Sequence, residues 1–262
     1  MSRPAIQKEH SDLNETQFQK IAEELNTYGL VVISDFFSPS DLERARIEVQ
    51  EKISEFNNRS VSLVGNPRIV GSEFDRHSQR IETLFRNIGL FEPACQNVND
   101  DLLEVVRIIA GDQVSASQNH AYHFDSHVLT ALFPIMIPND LVDNGDLVLW
   151  PNIRSAHGGF IINALQKAVA QNPFARWIFS KESIRNAVGA RSIALKPGNL
   201  YIFWGYRSYH GNLPISKDKV RATALYHMFY RHHSNPVLKF ARSRRKRIDD
   251  RRRDAAKLRA KP

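Results

Sequence analysis

A chain of 262 residues with 42% hydrophobic, 10% aromatic and 24% charged residues has the composition of a globular protein with a sizeable core, and its longest apolar stretches are too short to span a bilayer. The lone Cys95 cannot close an internal disulfide, and the opening MSRPAIQKEHSD lacks the apolar run of a secretory signal, so the expected address is the cytoplasm. The net charge of +8 is unevenly placed: twelve basic and three acidic residues after Leu238 give a local +9, leaving 24 basic and 25 acidic residues in 1–238. An electrostatic partner is therefore expected to meet a basic tail, 239–262, and not the near-neutral body.

With no internal repeat and no low-complexity linker, the chain reads as one domain, 1–238, plus that tail. Phe18, Ile21, Ala22 and Leu25 recur at helical spacing and predict a helix over Glu15–Tyr28. Gly29 stops it, and the β-branched Leu30–Ile33 predicts a short buried strand. Ser40-Asp-Leu-Glu43 has the spacing of a capping box at the start of a helix running to about Phe56. Residues 57–90 are polar and mixed and predict nothing clear. Asp100–Ala110 carries an apolar stripe at helical spacing and is expected to be an amphipathic helix closed by Gly111.

From Val114 the pattern changes. Val114–Phe124, Val128–Ile137, Asp146–Trp150, Ser192–Leu195, Leu200–Phe203 and Arg221–Tyr230 read as strands. Asp143-Asn-Gly145 and Pro197-Gly198-Asn199 supply turn chemistry between them, and 161–187 reads as a helical insertion. Helices followed by antiparallel strands with tight turns predict a mainly β, α+β architecture, a sandwich or barrel buttressed by N-terminal helices.

The sharpest chemical signal is Tyr122-His123-Phe124-Asp125 at a strand end. Side chains alternate along a strand, so His123 and Asp125 share a face roughly 7 Å apart along the chain and present an imidazole and a carboxylate together. Two histidines and one carboxylate on one face leave three positions of an ion free, the donor set of non-haem Fe(II) oxygenases. His-x-Asp alone is a weak signal. Its context adds to it: Asn144-Gly145-Asp146-Leu147, Pro197-Gly198-Asn199-Leu200, His210-Gly211 and Arg221 follow in order.

In that order and spacing, and in the entry segment from Gly29 to Leu42, residues 15–232 resemble the phytanoyl-CoA dioxygenase-like branch of the Fe(II)/2-oxoglutarate oxygenases. The resemblance implies a double-stranded β-helix, or jelly roll, with His123, Asp125 and His210 as the metal ligands and catalytic centre. It implies that Arg221 pairs with the distal carboxylate of 2-oxoglutarate, a role suited to a planar guanidinium that stays charged. Thr223, two residues on and on the same strand face, can donate a hydroxyl to the same group. Fe(II), 2-oxoglutarate and O2 are the implied cofactor and co-substrates, with release of succinate and CO2 and hydroxylation of a small molecule. Relatives that halogenate lack the carboxylate, so Asp125 favours hydroxylation or a desaturating or ring-forming variant of it. The loop Trp150–His157 matches the pattern loosely; it offers Arg154 as a contact for an anionic substrate, against the plain alternative of a surface arginine, and the insertion as a lid.

His120 and His127 flank the motif, and a hydrogen-bonded histidine beside the metal is the commoner role for such residues. His227 reads as a packed strand residue, and Asn119 or Thr130 as a minor candidate for holding the keto-acid end of the co-substrate. Two other classes remain. One is a catalytically idle jelly roll, against which the intact set of His123, Asp125, His210 and Arg221 argues. The other is a protein acting through its tail on nucleic acid, an acidic partner or an anionic membrane surface. The neutral body shows no aromatic–basic platform, so nucleic acid is not the expected partner and peripheral membrane attachment is the sharper expectation.

Overall fold

The computed structural model describes residues 13–57, 59–64, 72–98, 100–110, 122–139, 144–154 and 177–230. Two antiparallel sheets face each other. The larger holds six strands in the order β1-β7-β4-β9-β3-β2, and the smaller holds three in the order β6-β5-β8. Their ranges are β1 Leu30–Ile33, β2 Val61–Val64, β3 Leu103–Ala110, β4 His127–Met136, β5 Leu147–Trp150, β6 Arg191–Ile193, β7 Leu200–Phe203, β8 Tyr209–Asn212 and β9 Val220–Tyr230. Helices α1 (Glu15–Tyr28), α2 (Pro39–Glu55) and α3 (Ser72–Gly89) belong to the N-terminal part, and α4 (Glu182–Ala187) precedes β6. This is the expected jelly roll with helical buttresses.

Period-2 alternation divides each strand between two cores. Leu200 and Ile202 of β7 and Ala222, Ala224 and Tyr226 of β9 join Ile21, Leu25, Val49, Ile81, Phe85 and Ile88 of the helices in the larger core. Tyr201 and Phe203 turn the other way and meet Leu132 of β4 and Leu147 and Leu149 of β5 between the sheets. On the far side of the small sheet, Val148, Trp150 and Tyr209 pack with Tyr122 and Phe124. The alternation makes the space between the sheets the inner face for His123, His210, Arg221 and Thr223.

The C-terminus of α1 is tied to the segment after β7. Asn26 Oδ1 accepts from Trp204 Nε1 at 3.0 Å and from Arg207 Nη1 at 2.8 Å, while Asn152 Nδ2 donates to the carbonyls of Leu25 and Asn26 at 2.9 and 3.0 Å. An N-terminal helix thereby fixes the turn that carries Gly205.

Helix α1 and strand β1 match the expected boundaries. The expected helix over Asp100–Ala110 is instead strand β3, which pairs with β2 on one side and β9 on the other. Val105, Val106, Ile108 and Ile109 are β-branched, and this dense apolar run on both faces of a strand paired on both edges mimics a helical stripe, although burial alternates along Leu103–Ile108. Helix α2 starts earlier than expected: Ser38, not Ser40, is its N-cap, and the Ser38 hydroxyl accepts from the Asp41 N–H at 3.1 Å. Pro39 sets this start, because its fixed φ suits the first helical position and it needs no backbone partner there. Within 57–90 lie β2 and α3. Most of the strand expected at 114–124, the insertion over 161–176, His157 and the basic tail lie outside the described residues.

The strand assignment of 103–110 is testable. Ile108 is buried in the larger core and Val105 lies half-buried on the opposite face. Ile108→Ala should cost roughly 2–5 kcal/mol in denaturant unfolding, and Val105→Ala less than half as much; equal costs would contradict the two-faced strand.

Candidate metal centre

The segment 122–125 reaches the site by a single antiparallel bridge to β8, in which the His123 N–H donates to the His210 carbonyl at 2.8 Å and the His210 N–H to the His123 carbonyl at 2.9 Å. This cross-strand pair puts the two imidazoles side by side, with ring centroids 4.5 Å apart. Asp125 is fixed by its own N–H, which donates to the Gly205 carbonyl at 3.0 Å. Its Oδ1 lies 3.4 Å from His123 Nε2 and its Oδ2 3.4 Å from His210 Nε2. One donor atom from each of His123, Asp125 and His210 lies within 4.8 Å of the others, and this is the one such group among the described residues.

The donor set fits a divalent ion. Two donors about 2.1 Å from one ion and at right angles lie about 3 Å apart, close to the separations seen. His210 Nδ1 faces the Ser208 carbonyl at 3.0 Å, which places its proton there and turns the lone pair of Nε2 inward. Burial pulls the His210 imidazole down to about 4 from its ordinary 6.5, so it is neutral at neutral pH. Burial alone would raise the Asp125 carboxyl, but attraction from His210, His227 and His123 outweighs it and holds the group well below its ordinary range. A neutral imidazole and an ionised carboxylate are the protonation states a metal requires.

Three residues complete this corner. The Thr130 hydroxyl on β4 donates to Asp125 Oδ2 at 2.6 Å, and His227 Nδ1 on β9 lies 3.0 Å from the same hydroxyl. Gly205 lets the chain pass beside the carboxylate: a Cβ there would lie 2.2 Å from Thr130 Oγ1 and 2.4 Å from Asp125 Oδ2. From sequence Thr130 is a minor candidate for the keto-acid end, His227 a packed strand residue, and Gly205 leaves no signal; the register pairing of Thr130 with His227 across β4 and β9 is what brings them together here. His127 is buried beside the rings of His227 and Tyr230 and is not among the grouped donors.

Farther along the inner face of β9, Arg221 is 2% exposed. Its Nη1 donates to the Gly145 carbonyl at 3.0 Å, and its Nε has no hydrogen-bond partner. Gly145 has φ +77°, and a Cβ there would sit 2.7 Å from Arg221 Cδ, so the Asn-Gly turn is shaped around the guanidinium. Among the described residues Arg221 has no ion-pair partner. Burial, then repulsion from Arg107, pulls it down to about 9, still charged at neutral pH. Thr223 Oγ1 is likewise buried without a hydrogen bond. A buried cation beside an unused hydroxyl is costly unless an anion completes it. Arg154 is buried, with its guanidinium 4.2 Å from the ring centre of Phe124 and 3.9 Å from that of Tyr206, so it is not the solvated surface residue of the plain alternative.

No protein-family model matches the chain, and no curated protein matches it. Solved structures do. A prolyl-4-hydroxylase of Pseudomonas putida aligns with a TM-score of 0.51 at 13% identity, over 80% of this chain and 97% of that one. The epimerase SnoN, in complex with Fe3+, alpha ketoglutarate and nogalamycin RO, aligns at 0.55 and 14%, over 81% and 83%. HygX from Streptomyces hygroscopicus, with nickel and 2-oxoglutarate bound, aligns at 0.52 and 14%, over 82% and 86%. The chain has the jelly-roll fold of the 2-oxoglutarate-dependent oxygenases. The site just described is its own.

The depressed His210 value fixes a sign. The unfolded imidazole takes up a proton at 6.5 while the folded one does so only near 4, so stability present above pH 6.5 is lost as pH falls toward about 4. His227 is lowered in the same direction. In metal-free protein, urea midpoints should fall over that window, and His210→Gln should flatten the fall; identical slopes would show that His210 is not held neutral in the fold.

Proposed function

We propose that the chain is an Fe(II)- and 2-oxoglutarate-dependent oxygenase that hydroxylates a small molecule. The observation that carries this reading is the pairing, on one inner face, of the His123–Asp125–His210 donor set with a buried, anion-lacking Arg221 beside the unbonded Thr223 hydroxyl. The first accounts for a metal and the second for the far carboxylate of a dicarboxylic keto acid. Likeness to enzymes whose structures hold iron or nickel with 2-oxoglutarate supports the same pair of ligands. Membership of the phytanoyl-CoA dioxygenase-like branch rests on the order of the five sequence elements.

When bound, the ion and co-substrates supply the oxidising chemistry: 2-oxoglutarate and O2 give succinate and CO2, and one oxygen atom enters a substrate C–H bond. The protein's own residues prepare for this. Arg221 and Thr223 anchor and orient the co-substrate by a charge-assisted contact deep in the barrel. His210 enters the reaction unprotonated, and Asp125 ionised. The aliphatic and aromatic layer of Leu132, Leu147, Leu149, Tyr201 and Phe203 closes the inner space and excludes water from it. The basic tail is left for an anionic surface, membrane phosphates or an acidic partner, since the body carries no comparable charge. Sedimentation with anionic liposomes should pellet the full chain at low salt and release it at high salt, with a chain ending at Pro236 remaining in the supernatant.

Arg221→Met separates the reading from simple structure. Replacing an unpaired buried charge with an apolar side chain should leave metal-free stability equal or higher. It should also weaken 2-oxoglutarate binding to the Mn(II)-loaded protein by roughly 2–5 kcal/mol. Calorimetry that finds no 2-oxoglutarate binding to the parent protein, or unchanged binding to the variant, would sink the assignment.

A further inference from the structure

Resting on the functional reading above, one feature of the Asp125 corner goes beyond it. An octahedral ion offers six positions, and the two histidines take two. A chelating keto acid needs two more, and O2 needs one. That leaves one for Asp125, yet a carboxylate has two oxygens and can claim two positions. If it did, O2 would have no place to bind.

The structure deals with the second oxygen. Thr130 is fully buried on β4, and its hydroxyl lies 2.6 Å from Asp125 Oδ2, the short distance of a hydroxyl donating to an ionised carboxylate. A hydroxyl has one proton. Because Thr130 gives it to Asp125, the 3.0 Å contact with His227 must run the other way, with His227 Nδ1–H donating to Thr130 Oγ1. His227 therefore fixes the rotation of the hydroxyl, and its Nδ1 itself stands 3.6 Å from Oδ2. Gly205 leaves room for this contact, because a Cβ there would lie 2.4 Å from Oδ2 and 2.2 Å from Thr130 Oγ1. Oδ1 faces His123 Nε2 at 3.4 Å, and Oδ2 lies at the same distance from His210 Nε2.

We propose that Thr130, oriented by His227, engages Oδ2 of Asp125 and so keeps this carboxylate from taking two metal positions, leaving one available for O2. Thr130 and His227 are positioning residues: they act through Asp125 and touch neither substrate nor co-substrate. The register explains why both fall at this point, since Thr130 and His227 are partners across β4 and β9 and both lie on the inner face.

Nitric oxide, which binds Fe(II) at the position O2 would use, reads this directly. The full chain, Thr130→Val and Thr130→Ser are each loaded anaerobically with Fe(II) and 2-oxoglutarate. The visible charge-transfer band of the keto acid on iron is recorded, and nitric oxide is titrated by the EPR signal of its adduct. Valine keeps the shape and removes the hydroxyl; serine keeps the hydroxyl. All three should show the band, with nitric oxide affinity falling about tenfold or more in Thr130→Val and staying within about threefold in Thr130→Ser. His227→Phe should fall between the parent and Thr130→Val. Equal affinity in Thr130→Val and the parent overturns the inference, as does an equal loss in Thr130→Ser. Disappearance of the band in Thr130→Val also overturns it, because the hydroxyl would then serve to capture the metal and not to free a position. Absence of the band from the parent chain is a different result: it overturns the functional reading, and this inference with it.

Discussion

The Asp125 carboxylate has to be buried and ionised at once, and much of the surrounding structure answers to that demand. Burial by itself favours the neutral acid by a large margin. Here the charge is held by the Thr130 hydroxyl at 2.6 Å and by imidazole edges at 3.4 to 3.6 Å. The approach is close enough that position 205 has to be glycine. Gly205 in turn sits in a turn whose flanking residues, Trp204 and Arg207, are both bound by Asn26 at the end of α1. A helix far from the site in sequence is therefore part of what positions a candidate metal ligand.

Arg221 presents the opposite problem with the opposite solution. The Asp125 charge is largely satisfied within the protein, whereas the guanidinium, bonded to the Gly145 carbonyl, meets no anion among the described residues. A neighbouring Arg107 makes the shortfall larger. Stability alone does not favour such an arrangement, since an apolar residue of similar size would fit the layer at lower cost. Desolvation of this kind favours ligand binding, because a carboxylate entering beside the guanidinium would recover it. Arginine suits the position better than lysine, because its fork can spend one arm on Gly145 and keep the rest for the ligand.

How much of this was legible in the sequence depends on which physical signal each residue leaves. His123 and Asp125 were legible as a pair because period-2 spacing puts them on one face, and Thr223 by the same spacing from Arg221, whereas His210 and Arg221 entered only through the family resemblance. Residues supporting them were not, since a threonine in a strand looks the same whether it packs or holds a carboxylate. Gly205 needed the distance to Oδ2 to be understood. The misreading of 103–110 has a related cause. Burial alternates along this strand, but apolar residues fall on both of its faces, and helical spacing then fits the dense run by default. Ser38 was missed as the cap of α2 because two serines lie within reach of an acidic residue three positions on, and only Pro39 breaks the tie.

The uneven exposure of the three donors bears on where a substrate enters. The His123 side chain is 35% exposed, against 10% for Asp125 and 8% for His210. An ion held among them is covered on the side of β4, β8 and β9 and approachable beside His123. On the function proposed above, the co-substrate's anchor lies on the covered side, because Arg221 and Thr223 are on the inner face of β9 and almost fully buried. On that reading the co-substrate would meet the ion from the barrel side and the substrate from the side of His123. The barrel residues can specify a dicarboxylic keto acid closely. Discrimination among substrates then falls to whatever borders His123, which is why a shared fold leaves substrate identity free to vary.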